Sequence, residues 1–85
     1  MIIIYLDTFK KDFQRLSIEI QKQTDKQLRF LVQNPHHPSL RVKKMEHSQN
    51  LWEARISKGY RLTFQIQGET LFLRRVGNHN ILRNP

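Results

Sequence analysis

The chain of 85 residues contains no cysteine, only three glycines and three prolines, and no long apolar run. The missing cysteine excludes disulfide bonds, thiolate zinc sites, iron–sulfur clusters and a cysteine nucleophile, and it is typical of a reducing compartment. The apolar opening, residues 1–6, is too short for a membrane span and lacks the basic flank of a signal peptide. We therefore expect a cytoplasmic protein that is not bound to a membrane and uses no metal or cofactor.

Acidic residues are also scarce, because 7 Asp and Glu stand against 15 Lys and Arg, for a net charge of +8. Residues 1–38 carry six bases and four acids, whereas residues 39–85 carry nine bases and three acids. The second half should therefore form the surface that attracts polyanions. Nucleic acid is the natural partner for such a field, although an acidic protein or a membrane surface would feel the same attraction.

The apolar periodicity predicts a single α+β domain over residues 1–85, since this length supports only one small core. A β-branched run over residues 2–6 predicts a strand that is buried on both faces. Helical spacing then predicts a helix over about 8–15 and a longer one that is capped by Ser17 and ends near Asn34, ahead of Pro35.

From Ser39 onward the period changes from 3.6 to 2, so no further helix is expected. Strands are predicted at about 40–45, 51–57, 60–66 and 70–76. The order β-α-α-β-β-β-β predicts two N-terminal helices on one face of a mostly antiparallel sheet of four to five strands.

The first predicted hairpin places two arginines side by side. Its apolar sets are Trp52, Ala54 and Ile56 on one strand and Tyr60, Leu62, Phe64 and Ile66 on the other. Both sets face the helices if residue 56 pairs with 60, 54 with 62 and 52 with 64, around a three-residue loop whose Gly59 has positive φ. The opposite face then has Arg55 across from Arg61 and Glu53 across from Thr63.

The second predicted hairpin adds a third arginine. A two-residue loop at Gln67 and Gly68 pairs residue 64 with 71 and 62 with 73, and it sets Arg74 opposite Arg61. A three-residue loop would instead bury the charge of Arg74. Like charges facing each other destabilise a sheet, so a row of three arginines predicts an anionic ligand. The alternative is an ordinary solvated face on which Glu53 neutralises part of the row.

Further candidate residues surround this row. Phe72 shares its face with Arg74, and an exposed ring among bases suits single-stranded nucleic acid, although Phe72 could equally pack beneath the C-terminal tail. Lys43 and Lys44 add charge from the preceding strand. His79 follows the last strand and could move protons during phosphodiester cleavage, unless it is merely a surface histidine.

The other histidines do not indicate a metal site. His36, His37 and His47 lie in predicted loops with no carboxylate at ligand spacing. No phosphate-binding glycine loop, nucleophile elbow or zincin motif is present either.

Several segments together carry a family resemblance. They are Asn34-Pro35, His37-Pro38-Ser39-Leu40, Leu51-Trp52-Glu53-Ala54-Arg55-Ile56, Gly59-Tyr60-Arg61-Leu62-Thr63-Phe64 and Leu71-Phe72-Leu73-Arg74-Arg75-Val76-Gly77-Asn78-His79. In this order they resemble the RelE/ParE superfamily of toxins from type II toxin–antitoxin systems. The resemblance covers nearly the whole chain and is strongest over residues 51–79.

The resemblance implies a toxin that enters the ribosomal A site and cuts mRNA without metal. Such an endoribonuclease, or mRNA interferase, uses the 2′-hydroxyl as nucleophile, leaves a 2′,3′-cyclic phosphate and inhibits translation. The catalytic positions of the family fall on Arg61, Arg55 and His79. The predicted strands and their register give Arg74, Lys43, Lys44 and Phe72 as RNA-binding candidates. A cognate acidic antitoxin is implied as the partner in a toxin–antitoxin heteromer.

Two other functions stay open. ParE-like members share the fold and poison DNA gyrase, and a non-catalytic basic module would bind only RNA or an antitoxin. The chain also departs from RelE itself, which has a lysine where Glu53 stands and a tyrosine near its C-terminus. These departures concern the cleavage mechanism more than the fold.

Overall fold

The computed structural model describes residues 1–46 and 50–85 and confirms the α+β architecture. The elements in chain order are β1 (Ile2–Tyr5), α1 (Asp7–Gln14), α2 (Ile18–Gln33), a first 3₁₀ turn (Pro38–Leu40), β2 (Lys43–Lys44), β3 (Trp52–Ser57), β4 (Tyr60–Gln67), β5 (Thr70–Asn78) and a second 3₁₀ turn (His79–Arg83). The two 3₁₀ turns correct the expectation that no helical segment follows α2. His47 lies outside the described residues.

The two helices begin and end close to their predicted positions. Ser17 caps α2 as expected, because its Oγ accepts the Ile20 N–H at 3.3 Å. Asn34 has left the helical region, in keeping with the restriction that Pro35 imposes. One face of α2 is buried against the sheet through Thr24, Gln27, Leu28 and Leu31.

The sheet has the order β1-β5-β4-β3-β2, with β1 parallel to β5 and all other pairs antiparallel. The expectation of a doubly covered first strand is wrong. Ile2 is 62% exposed and Ile4 41% exposed, whereas Ile3 between them packs against the core, so only one face of β1 is covered. A β-branched run indicates extended backbone, but it does not reveal how many faces of the strand are covered.

The core lies between the helices and the inner face of β3, β4 and β5. Its buried members are Phe9, Leu28, Leu31, Leu40, Ala54, Ile56, Leu62, Phe64, Leu71, Leu73 and Val76. Leu40 comes from the first 3₁₀ turn, so the connector after α2 contributes to the core as well as linking two elements.

The first hairpin has the predicted pairs 52–64 and 54–62, but its end differs. A bulge between Arg55 and Ser57 pairs Ser57 with Tyr60, which leaves only residues 58–59 in the turn. The predicted 56–60 pair and the three-residue loop are therefore wrong. Among the described glycines the positive φ belongs to Gly68, at 60°, and not to Gly59.

The second hairpin is shifted from the predicted register. Gln67 pairs with Thr70 and Phe64 with Leu73, so the turn consists of residues 68–69. A bulge then places Arg75 opposite Thr63 and leaves Arg74 as the extra residue, so that Arg61 faces Gly77. The prediction failed because registers that differ by two residues bury the same face, and alternation alone cannot separate them.

A carboxylate from α1 accepts a backbone hydrogen bond from β5 beyond the end of the β1–β5 pairing. The pairing of β1 with β5 ends at Leu73, and beyond it Asp12 accepts the backbone N–H of Val76 at 3.2 Å. The same carboxylate receives Nε of Arg75 at 2.6 Å and Nη2 at 3.2 Å. This hydrogen bonding raises the pKa of the Arg75 guanidinium, against the opposing effect of partial burial. Asp12 thereby fixes α1 to the sheet.

Replacing Asp12 should destabilise the fold. Asp12→Ala removes the partner of a buried N–H and of Arg75, and we expect a loss of about 1–3 kcal/mol in the free energy of unfolding. Urea denaturation followed by circular dichroism measures it. Asp25→Ala on the exposed side of α2 is the matched control and should change stability by less than about 0.5 kcal/mol. An equal loss in both variants would contradict the structural role of Asp12.

Candidate active site

Two arginines face each other at the turn end of the β3–β4 hairpin. Arg55 and Arg61 are direct cross-strand partners, and both are half-buried. Nη1 of Arg61 donates to the carbonyl oxygens of Ser57 and Tyr60, both at 2.9 Å. These bonds tie one end of the Arg61 guanidinium to the hairpin and leave its other nitrogens for a ligand.

No carboxylate neutralises this pair within residues 1–46 and 50–85. There the only ion pair joins Arg75 and Asp12. The side chain of Arg55 has no hydrogen-bonding partner in the same part of the chain, and only its main-chain oxygen is used, by Nε2 of Gln27 at 2.9 Å. Two adjacent guanidinium groups without a counter-charge are a candidate site for an anion, because their N–H groups can form charge-assisted hydrogen bonds.

Glu53 does not fill that role. It lies across from Thr63, as predicted, and its other cross-strand neighbour is Lys43 of β2. Glu53 is only 8% exposed, yet among the described residues it forms no ion pair with either arginine. The described side chains therefore do not support the alternative in which Glu53 neutralises the arginines.

Arg74 does not complete the predicted row of three. The bulge directs it along β4, where Nη1 donates to Oε1 of Gln65 at 3.1 Å and Nε to the main-chain oxygen of Pro85 at 3.2 Å. Phe72 lies opposite Gln65 and is half-buried beside a cavity of about 190 Å³. Gln65 is thus the common neighbour of Arg74 and Phe72, and both lie farther along the sheet than the Arg55–Arg61 pair.

The remaining predicted residues lie on either side of the pair. His79 is exposed and opens the second 3₁₀ turn, directly after Asn78, which pairs with Tyr60. It therefore lies at the same end of the sheet as Arg61. Lys43 and Lys44 are exposed on the short edge strand β2, where Lys43 is separated from β4 by Glu53 of β3.

The C-terminal tail covers part of the face that carries the arginines. Ile81 is buried, and a Cβ added at Gly77 would lie 2.9 Å from its Cγ2. Farther along, Oγ1 of Thr63 donates to the main-chain oxygen of Pro85 at 3.1 Å, and Thr63 is fully buried. The sequence analysis considered the tail only as a cover for Phe72, and the apolar Ile81 shortly after Gly77 was the unused signal for cover at this end of β5.

The structure adds two general findings. In the described ranges, no group of three or more His, Cys, Asp or Glu residues could hold a metal ion. No helix in those ranges has both the length and the apolar character that crossing a membrane requires.

The fold is that of the RelE/ParE superfamily of toxins from type II toxin–antitoxin systems. Residues 3–82 match the family described as "ParE toxin of type II toxin-antitoxin system, parDE". The chain therefore belongs to the ParE toxin family. No curated protein sequence matches it significantly.

Solved structures of toxins have the same fold. YafQ from E. coli strain BL21(DE3) superimposes with a TM-score of 0.80 at 18% identity, covering 94% of each chain. The YoeB/ParE toxin from Agrobacterium tumefaciens gives 0.79 at 15% identity, covering 93% of this chain and 99% of that one. The RelB-RelE antitoxin-toxin complex from Methanococcus jannaschii gives 0.76 at 23% identity, covering 95% of each chain. At these identities the likeness establishes the fold alone.

Removing one charge of the pair should stabilise the protein. Arg55→Gln relieves the cross-strand repulsion, so we expect the free energy of unfolding to rise by about 0.2–1 kcal/mol at low salt and the gain to shrink as salt screens the charges. Urea denaturation at two salt concentrations measures both effects. Arg29→Gln, on the exposed side of α2, is the control. A stability loss in Arg55→Gln at low salt would show that Arg55 has a partner.

Proposed function

We propose that this toxin is a metal-independent endoribonuclease that cuts mRNA in the ribosomal A site in the cytoplasm and so inhibits translation. The observation that carries the proposal is the Arg55–Arg61 pair, which has no carboxylate partner in the described part of the chain and lies at the same end of the sheet as His79. A structural ion pair would have neutralised these charges. A phosphate group supplies the missing negative charge.

The chemistry of RNA cleavage suits these groups. The 2′-hydroxyl oxygen attacks the adjacent phosphorus as a base takes its proton, and the P–O bond to the 5′-oxygen breaks as that oxygen gains a proton. The products are a 2′,3′-cyclic phosphate and a free 5′-hydroxyl. The guanidinium forks of Arg55 and Arg61 stabilise the charge that develops on the non-bridging oxygens, and His79 transfers one of the protons.

The other basic residues extend the contact with RNA beyond the scissile phosphate. Arg74 and Phe72 lie farther along β5, and in this proposal the partly exposed ring of Phe72 stacks with a base. Lys43 and Lys44 supply positive charge from the sheet edge on the β3 side. In this arrangement the arginine pair binds the reacting phosphate, and Arg74, Phe72, Lys43 and Lys44 bind the rest of the RNA strand.

The inhibitor of such a toxin is an acidic antitoxin, with which it forms a heteromer. Structural relatives have been solved as the RelB-RelE antitoxin-toxin complex from Methanococcus jannaschii and as the E. coli DinJ-YafQ complex. The net charge of +8 favours an acidic partner.

A second candidate function is poisoning of DNA gyrase, which the parDE description of the matched family favours. The two candidates leave different damage in the cell. A ribonuclease leaves cut transcripts and intact chromosomes, whereas a gyrase poison leaves double-strand DNA breaks and intact transcripts.

Inducible expression followed by primer extension across a translated message tests the proposal. We expect growth arrest with discrete cuts inside the coding region, and Arg61→Ala should reduce the cutting rate about 10²- to 10³-fold through the loss of a phosphate-binding fork. Arg15→Ala, an exposed charge at the end of α1, is the matched control and should cut normally. Growth arrest with uncut messages and broken DNA would favour the gyrase function instead.

The role of His79 is tested separately. His79→Gln keeps a polar side chain of similar size but cannot transfer a proton, so the cutting rate should fall about 10²- to 10⁴-fold with no change in unfolding midpoint. Primer extension at equal protein levels measures the rate. Normal cutting by His79→Gln would remove His79 from the mechanism and leave the arginine pair in place.

A further inference from the structure

A basic groove runs beside the Arg55–Arg61 pair, between α2, the first 3₁₀ turn and β3. Its volume is about 530 Å³, and none of the residues that line it is acidic. Three cationic residues and three neutral polar residues are prominent in its wall: Lys26, Arg41, Arg55, Gln23, Gln27 and Ser39. Lys26 and Arg41 were not among the residues that the sequence singled out, because the groove exists only once α2 docks on β3.

The walls of this groove are fixed before any ligand arrives. Nε2 of Gln27, a buried side chain, donates to the main-chain oxygen of Arg55 at 2.9 Å and thereby joins α2 to β3. Nδ1 of His37 accepts the backbone N–H of Ser39 at 3.2 Å and caps the 3₁₀ turn. A preorganised wall lowers the entropy cost of binding.

Arg41 holds an unusual backbone conformation at the rim. Its φ and ψ are both 46°, in the left-handed region that residues with a side chain rarely adopt. A glycine would relieve this strain but would remove the charge. Strained residues of this kind occur at ligand sites.

We propose that this groove binds phosphate groups of single-stranded RNA that flank the cleavage position. Arg55 belongs both to the groove and to the Arg55–Arg61 pair, so a strand held at the pair can continue past Lys26 and Arg41. The inference rests on the proposed ribonuclease function. It assigns the groove to the sugar–phosphate backbone, so the binding is independent of sequence.

The composition of the groove favours RNA over an acidic protein segment. Peptide segments gain most of their affinity from buried apolar or aromatic anchors, and the lining here is mainly polar. The nearest apolar surface is a neighbouring cavity of about 500 Å³, which is lined by Leu31, Val42, Trp52 and Ile66 and shares Pro38 and Arg41 with the groove. Apolar side chains of a peptide would bind in that cavity rather than between Lys26 and Arg55. Amides, a hydroxyl group and cations are instead what a phosphate backbone requires.

The test measures how RNA affinity depends on salt. A fluorescein-labelled RNA oligonucleotide with 2′-O-methyl groups, which cannot be cut through its 2′-oxygen, is titrated with the full-length toxin in increasing NaCl, and anisotropy gives the affinity. Each lost phosphate contact should lower the slope of log K against log salt by about 0.7 for a single strand. We expect this decrease for Lys26→Ala and for Arg41→Asn, which keeps a residue tolerant of the left-handed region.

The matched control is Arg29→Ala. Arg29 lies on the same helix as Lys26 and is also exposed, but it lines a different cavity, beside Ile3 and Tyr5. Its slope should stay at the wild-type value. Circular dichroism melts of all variants confirm that they are folded.

Three results would overturn the proposal: no measurable RNA binding by the wild type, an equal decrease for Arg29→Ala, or unchanged slopes for both groove variants. A groove variant that loses affinity for a polyglutamate peptide but keeps its RNA slope would assign the groove to an acidic protein instead. Failure of the proposed function is distinct, because it appears as uncut messages in cells that express the wild type. Cut messages with unchanged slopes would reject the groove alone.

Discussion

Leu73 and Val76 are both buried although they are three residues apart on β5, and a regular strand cannot turn both side chains to one face. The bulge at Arg74 resolves this conflict, and the positions of the surrounding basic residues follow from it. Arg75 forms an ion pair with Asp12 of α1, and Arg74 donates a hydrogen bond to Gln65 of β4. Gly77 becomes the cross-strand partner of Arg61. Packing of two aliphatic side chains thus decides which charges share a site.

The acidic residue Asp12 has a structural role in the described chain, whereas the arginine pair has no acidic partner there. Asp12 satisfies a buried backbone donor and Arg75 together, which links α1 to β5. Arg55 and Arg61 keep their repulsion, since no carboxylate lies within ion-pairing distance in the described ranges. A site that is destabilising when empty and stabilised by its ligand is a common trade-off between stability and function.

Sequence reasoning was sufficient where one local signal decided the answer. The Ser17 cap, the end of α2 before Pro35 and the placement of Arg55 opposite Arg61 all follow from short patterns. It failed where a choice depended on distant partners: alternation allowed two registers for the β4–β5 hairpin, and the spacing of Leu73 and Val76 was the unused signal for the bulge. The groove around Arg41 and Lys26 joins segments far apart in the chain, so no local pattern could reveal it.

The two edges of the sheet differ in how well they resist unwanted pairing. β2 is a two-residue strand composed of lysines, so charge and brevity protect that side. β1, on the other side, exposes Ile2 and Ile4 along four extended residues. Aggregation of concentrated toxin should therefore start from the N-terminal strand, and a solubilising substitution belongs there rather than on the basic surface.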